Sequence, residues 1–260
     1  MSRKITYRLR YTNKLVEAGE KPVLHPIRER VPVDPTVQEL YLEGKLILIN
    51  KALHWTSFDV VRRLRSILQI KKIGHAGTLD PLATGLLIVC TGKSTKKINE
   101  YMAREKEYTG TFTLGAVTVT YDLESEPIEL RDYSFVDIGL LEQAALKFTG
   151  DFDQLPPAYS AIKKEGVASY ELARKGIEMI REPRKISIKL FEITRVEGPL
   201  VHFKVICSTG TYIRSLANDF GATLGCGAYL SSLCRTRIGE IKLEDALSIE
   251  EFESSVKKDS

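Results

Sequence analysis

Residues Gly74–Gly85 (GHAGTLDPLATG) constrain this 260-residue chain more than any other stretch. Leu86–Cys90 (LLIVC) follows directly and is wholly apolar. An apolar run of that length without alternation reads as a strand covered on both faces. The glycine-containing segment before it is then a loop on the rim of a packed core, where a rigid scaffold commonly holds functional side chains. Asp80 sits at its centre. Pro81 disfavours the helical region for Asp80 and pushes it to an extended conformation, while Gly77 and Gly85 permit tight or positive-φ geometry on either side. The product is a carboxylate on a restricted backbone. Asp-Pro also initiates ordinary turns, so the tripeptide alone leaves a turn and a catalytic acid both open.

The flanking segments supply the scaffold. Lys45–Asn50 (KLILIN) reads as a strand. Thr56 and Asp59 have capping-box spacing, and Val60, Val61, Leu64, Ile67 and Leu68 form an apolar stripe at helical spacing, in a helix that ends near Ile70. After the loop, TGKST at 91–95 lacks the upstream glycine of a P-loop, since Leu87 stands there. Ser94 instead reads as the cap of a helix running through Ile98, Tyr101 and Met102. Lys106–Gly115 alternates, with Tyr108, Gly110, Phe112 and Leu114 on one face of a half-buried strand. On pattern alone Tyr108 is a core residue or a ligand wall. Asp122–Arg131 is acidic and rich in turns, and residues 138–147 read as a helix. Ile186–Leu190 and Val201–Cys207 alternate like strands of one sheet. Ile213, Leu216, Ala217, Phe220 and Leu224 stripe a later helix whose first turn carries Arg214. Ser248 and Glu251 open a short final helix. Residues 1–40, with prolines at 22, 26, 32 and 35, read as an irregular arm with a basic start. The expected fold class is α+β.

Composition excludes several function classes. No apolar run approaches a membrane span, and residues 1–16 lack the apolar centre of a secretory signal, so a cytoplasmic protein is expected. Cys90, Cys207, Cys226 and Cys234 form no CxxC pair, and the four histidines show no ligand spacing. No metal and no cofactor are expected. The net charge of +4 is modest, but its distribution is not even. Arg62, Arg63, Arg65, Lys71 and Lys72 precede the central loop, and Lys93, Lys96 and Lys97 follow it. A second group comprises Lys163, Lys164, Arg174, Lys175, Arg181, Arg184 and Lys185. Basic clusters around a candidate site fit a phosphate backbone, and each alone also fits a solvated face.

Three ordered motifs carry a family resemblance. GHAGTLDPLATGLL resembles the catalytic-aspartate motif of the bacterial tRNA pseudouridine-55 synthases, the TruB family. KEYTGTFTLGAVTVTYDLE is similar to that family's second motif, and STGTYIRSLANDFGATLGCGAYLSSLCRTRIG to its third. FDQLPPAYSAIKKEGVASYELARKG resembles a further shared segment that shapes the RNA cleft. The resemblance covers about residues 44–255. Near its start this chain keeps Lys51, Thr56 and Ser57 but has Ala52 and His54 where the family has proline and glycine, a departure that touches a turn.

The resemblance implies a pseudouridine synthase fold: a mixed, mostly antiparallel central sheet with flanking helices and an RNA-binding cleft. It implies domains at 1–40 (arm), 41–240 (catalytic) and 241–260 (short helix and tail), without the small PUA-type RNA-binding domain of many relatives. It assigns Asp80 as nucleophile or base, Arg214 as its ion-pair partner and Tyr108 as the surface stacked on the target base, with a proton relay as a further role. His75 would fill the space left by the flipped uridine, and Tyr212 and Leu233 would line the uridine pocket. The implied substrate is the T stem-loop of tRNA, acted on at position 55 by a monomer with no obligatory protein partner. Pseudouridine formation needs no redox partner or group donor, in keeping with a chain that lacks nucleotide signatures. Three alternatives share these features: an RNA-binding or tRNA-folding module, a guide-RNA-dependent synthase, and a hydrolase using Asp80.

Overall fold

The computed structural model describes residues 33–159 and 181–258, together with the backbones of two short strand pairs, Tyr7–Arg8 with Leu15–Val16 and Lys163–Lys164 with Val167–Ala168. The chain divides into Met1–Pro32 and Val33–Ser260. Most of the second basic group, and the segment after Tyr159 that resembles the family's cleft-shaping stretch, lie outside the described residues.

The second unit is built on one nine-stranded sheet. Its strands are β1 (Leu46–Lys51), β2 (Ile73–Ala76), β3 (Ala83–Thr91), β4 (Lys106–Leu114), β5 (Gly150–Gln154), β6 (Arg184–Glu197), β7 (Leu200–Cys207), β8 (Ala228–Ile238) and β9 (Ile241–Lys242). The order is β1-β3-β8-β4-β7-β6-β5, with β2 paired to β3 and β9 to β8. Only β3 and β8 run parallel, and every other pairing is antiparallel. This is the mixed, mostly antiparallel α+β sheet that the sequence implied.

β3 explains the LLIVC run. Leu87 and Val89 join a cluster with Val60, Val61, Leu64 and Leu68 of helix α2 (Ser57–Leu68), whereas Leu86, Ile88 and Cys90 face a second cluster with Ala76 and Ile238. Both faces of the strand are covered, so alternation disappears. A third cluster packs α4 (Ile138–Lys147) and α5 (Ile213–Leu224) on β4, β6, β7 and β8. Phe220 lies at its centre, with ring centroids 5.6 Å from Phe112 and 5.3 Å from Phe191.

α2 starts as its sequence dictates: Thr56 accepts from the Asp59 amide, and the Asp59 carboxylate accepts from the Thr56 amide. The final helix, α6 (Ile249–Lys258), is capped in the same way by Ser248 and Glu251. Its Glu253 pairs with Arg63, fastening the C-terminal segment to α2.

Three expectations are corrected. A helix, α1 (Pro35–Gly44), occupies the end of the stretch read as irregular. Asp34 caps it and Pro35 opens it, a favoured start, but it buries no residue fully, so no apolar stripe marks it. Ser94 caps nothing: Gly92–Lys97 form a 3₁₀ helix, and α3 (Ile98–Ala103) begins only afterwards. The strands β2, β5, β8 and β9 had no sequence assignment, and β2 and β3 take up both ends of the stretch 74–85 read as a loop. β5 is acidic and edge-placed, and β8 carries two register shifts that erase its period.

Candidate active site

The loop 77–82 joins β2 to β3 and carries Asp80 at the sheet rim. Its shape is fixed from several sides. Gly77 and Gly85 have φ of +82° and +100°, which favours residues without a Cβ. At Gly85 a Cβ would lie 2.4 Å from the Arg235 carbonyl oxygen, so the β3–β8 approach also demands glycine. The Ser57 hydroxyl accepts from the Leu79 amide at 2.9 Å, and the His54 amide donates to the Pro81 carbonyl at 2.8 Å. The turn in which His54 replaces the family's glycine is therefore bonded directly to the Asp80 loop. His54 adopts φ +66° there, a left-handed conformation in which histidine is enriched among non-glycine residues.

Arg214, in the first turn of α5, meets Asp80, as the family resemblance implied. Its Nε donates to Asp80 Oδ2 at 2.8 Å, Nη1 to the Thr120 carbonyl at 3.2 Å and Nη2 to the Tyr159 carbonyl at 2.9 Å. Asp122 Oδ2 stands 3.5 Å from the same Nε. Asp122 is buried, and its Oδ1 accepts from the Thr120 hydroxyl at 2.6 Å and the Glu124 amide at 3.0 Å. Burial raises its pKa, against the pull of Arg214 and these donors. Sequence reading placed Asp122 in an acidic turn and missed it, because only the fold brings it beside Arg214.

The pair opens into a small cleft lined by Asp80, Leu82, Ala83, Asp122, Arg214 and residues 230–233. Leu233 is thus on the wall, opposite Ala83 across the β3–β8 pair. Tyr108, His75 and Tyr212 do not line this cleft and instead sit around it. Tyr108 is buried, packed in the cluster that holds Leu79 and Ala83. Burial pushes its phenol pKa up, with the nearby Arg235 charge opposing. His75 lies within β2 and shares a 3.2 Å hydrogen bond with Thr78 of the loop. Burial and then the Arg235 charge lower its pKa, which favours a neutral imidazole. Tyr212 precedes α5, and buried Gln154 clamps its backbone, accepting from its amide at 2.8 Å and donating to its carbonyl at 3.1 Å.

Two buried cations complete the surroundings. Lys51, with no exposed surface, donates to the Trp55 carbonyl at 2.6 Å and the Ala52 carbonyl at 3.1 Å. Burial lowers its pKa to about 8, against the attraction of Asp80. Arg235 donates to the Leu86 carbonyl at 2.8 Å and the Gly77 carbonyl at 3.0 Å. No sequence signal distinguished it from the other arginines.

This geometry coincides with a known sequence family. A profile described as the TruB family pseudouridylate synthase N-terminal domain matches residues 65–213, more than half of the chain. The chain belongs to the TruB family. A profile for the tRNA pseudouridylate synthase B C-terminal domain matches residues 214–260. The boundary falls in the first turn of α5, so it does not divide the fold. Among TruB relatives, tRNA pseudouridine synthase B of Flavobacterium johnsoniae is 50% identical over 225 residues, 84% of this chain and 98% of that protein. The namesake in Chlorobaculum tepidum is 46% identical over 213 residues, 80% and 89% of the two chains. A chain in the crystal structure of a Cbf5–Nop10–Gar1 complex superposes with a TM-score of 0.66 at 29% identity, covering 84% of this chain and 56% of that one. This chain spans little more than half the length of that neighbour.

Proposed function

We propose that this TruB family member isomerises uridine to pseudouridine in tRNA, at the T-loop uridine of position 55, with Asp80 as the reacting carboxylate. The observation that carries this reading is the 2.8 Å contact between Arg214 Nε and Asp80 Oδ2 at the wall of an open cleft. The Asp80 side chain is 41% exposed, so substrate can reach it, while its partner arginine is 7% exposed and held by backbone carbonyls. A fixed guanidinium orients the carboxylate whose oxygen must act at ribose C1′ or C2′. The N-glycosidic bond then breaks, the uracil turns, C5 bonds to C1′, and the C5 proton leaves as N1 gains one. Tyr108, buried in the cluster that includes Ala83 of the cleft wall, is the residue the family resemblance assigns to the freed base, and base–aromatic stacking contributes about 1–3 kcal/mol. His75 stands beside the loop to fill the space vacated when the uridine flips out, an extrusion that costs a few kcal/mol.

Surface charge supports an RNA substrate. Lys71, Lys72, Lys93, Lys96 and Lys97 are exposed and have no acidic partner among the described residues. The Gly92 amide donates to the Lys72 carbonyl at 2.9 Å, which joins the two lysine segments into one face. The greater identity and coverage of the tRNA synthases, against the Cbf5-type neighbour, favours tRNA over a guide-directed target. No helix among the described residues is long and apolar enough to cross a membrane, and a tRNA substrate supports cytoplasmic residence.

The test is incubation of the purified protein with unmodified tRNA transcript, followed by mapping of pseudouridine by carbodiimide adduct and primer extension. A single new stop at the T-loop uridine is expected. An unmodified transcript, or stops elsewhere, would refute the assignment.

A further inference from the structure

The turn that carries His54, together with the start of α2, forms a surface that the reaction as described does not use. Leu53 and Phe58 are 48% and 58% exposed, and Ala52 and His54 between them are exposed as well. A single exposed apolar side chain is ordinary, whereas several on one short, fixed segment point to an interaction site. The segment is fixed from below. Buried Lys51 donates to the carbonyls of Ala52 and Trp55, and the Trp55 amide donates to the Ala52 carbonyl at 3.4 Å. Glycine would adopt the φ of +66° at position 54 without strain, so histidine there adds a side chain that the backbone does not require.

What covers this surface follows from its two ends. At one end the His54 amide donates to the Pro81 carbonyl, one residue from Asp80, and the Ser57 hydroxyl exchanges hydrogen bonds with the Leu79 backbone. At the other end Arg65 donates to the Ile73 carbonyl at 2.9 Å, directly after exposed Lys71 and Lys72. The same guanidinium stands 5.9 Å from the centroid of the Phe58 ring, within cation–π range. An aromatic ring between a reacting carboxylate and a row of lysines suits single-stranded RNA: the ring stacks on a base, and the cations follow the phosphates. We propose that Phe58 and His54 form a stacking surface for an unpaired nucleotide of the substrate RNA, next to the flipped uridine in the same loop. The proposal rests on the RNA substrate given above and adds a contact outside the cleft.

Binding of T-stem-loop RNA to the full-length protein tests this, with the single-turnover rate at saturating RNA measured alongside. Phe58→Ala is expected to weaken binding by about 5- to 100-fold, the scale of one stacked base, and to change the saturated rate by less than about 3-fold. The slope of log affinity against log salt should keep its wild-type value, because stacking releases no counterions. His54→Gly keeps the backbone geometry and is expected to weaken binding by about 2- to 10-fold without lowering the thermal midpoint. Stem-loops with one abasic nucleotide, moved through each loop position, identify the stacked base. At one position beside the target, the abasic RNA should lose affinity for wild type yet cost Phe58→Ala less than about 2-fold. Wild-type affinity in either variant, or abasic losses equal in wild type and Phe58→Ala at every position, would overturn the proposal. So would a sedimentation coefficient that falls in Phe58→Ala, which would make the surface a contact between copies of the chain. A wild-type protein that binds the stem-loop but forms no pseudouridine would refute the functional reading, and the affinity measurements would still decide the stacking surface.

Discussion

Asp80 and Asp122 both face the Arg214 Nε, at 2.8 and 3.5 Å, yet their side chains are 41% and 4% exposed. Exposure separates the roles we propose for them: the open carboxylate to meet substrate, the closed one to hold the arginine. Asp122 pulls on Arg214 from the side away from solvent, and its own hydrogen bonds to Thr120 and Glu124 keep it in place. Asp122→Asn keeps the shape and removes the charge. We expect it to lower the rate on tRNA by about 10- to 100-fold, the scale on which loss of a supporting group acts, with tRNA affinity nearly unchanged. An unchanged rate would mean that Asp80 and the carbonyls of Thr120 and Tyr159 suffice to fix Arg214. Asp80, Arg214 and Tyr108 were named from the sequence only through the family resemblance of the motifs that hold them, since local pattern alone left Asp80 a turn residue or an acid and Tyr108 a core residue or a ligand wall. Asp122, Gln154 and Arg235 were not, since a buried polar residue is defined by partners far along the chain.

α5 joins core to chemistry. Its buried stripe of Ile213, Leu216, Ala217 and Phe220 seats the helix on the sheet, and that seating aims Arg214 at the loop. Phe220, with no exposed surface, packs on Phe112 and Phe191. Phe220→Ala is expected to destabilise the fold by about 3–5 kcal/mol, read as a lower urea midpoint without a changed slope. A loss below about 1 kcal/mol would show that the site is not built on this contact. Elements with a clean period, such as β4, α2 and α5, could be placed from sequence. α1 lacks a buried stripe, and β8 lies centrally with bulges between Leu230 and Ser232 and between Arg235 and Arg237, so their patterns carry no period to read.

At the scale of the whole molecule, buried lysines leave a signature in the dependence of stability on pH. Burial lowers Lys51 and Lys106 from 10.5 to about 8. Between those values the unfolded chain holds protons that the folded chain has released, so both groups make stability rise with pH across this window. Below about pH 8 each is charged in both states and adds no slope. Cys207, raised by burial to about 11, and Tyr108, also raised by burial, act in the opposite sense at the alkaline end. The informative quantity is therefore the difference between wild type and Lys51→Met. Wild type is expected to gain on the variant by up to about 1.4 kcal/mol per pH unit between pH 8 and 10.5. Parallel curves would contradict the burial of a protonatable Lys51. The central claim, that Asp80 performs uridine isomerisation in a cleft built for RNA, is reached most directly by tritium release. The substrate is a T-stem-loop RNA labelled at uridine C5, given to wild type and to Asp80→Asn, with RNA affinity measured for both. Release by wild type alone, at equal affinity, is the predicted result; release by Asp80→Asn at the wild-type rate, or by neither enzyme despite tight binding, would contradict it.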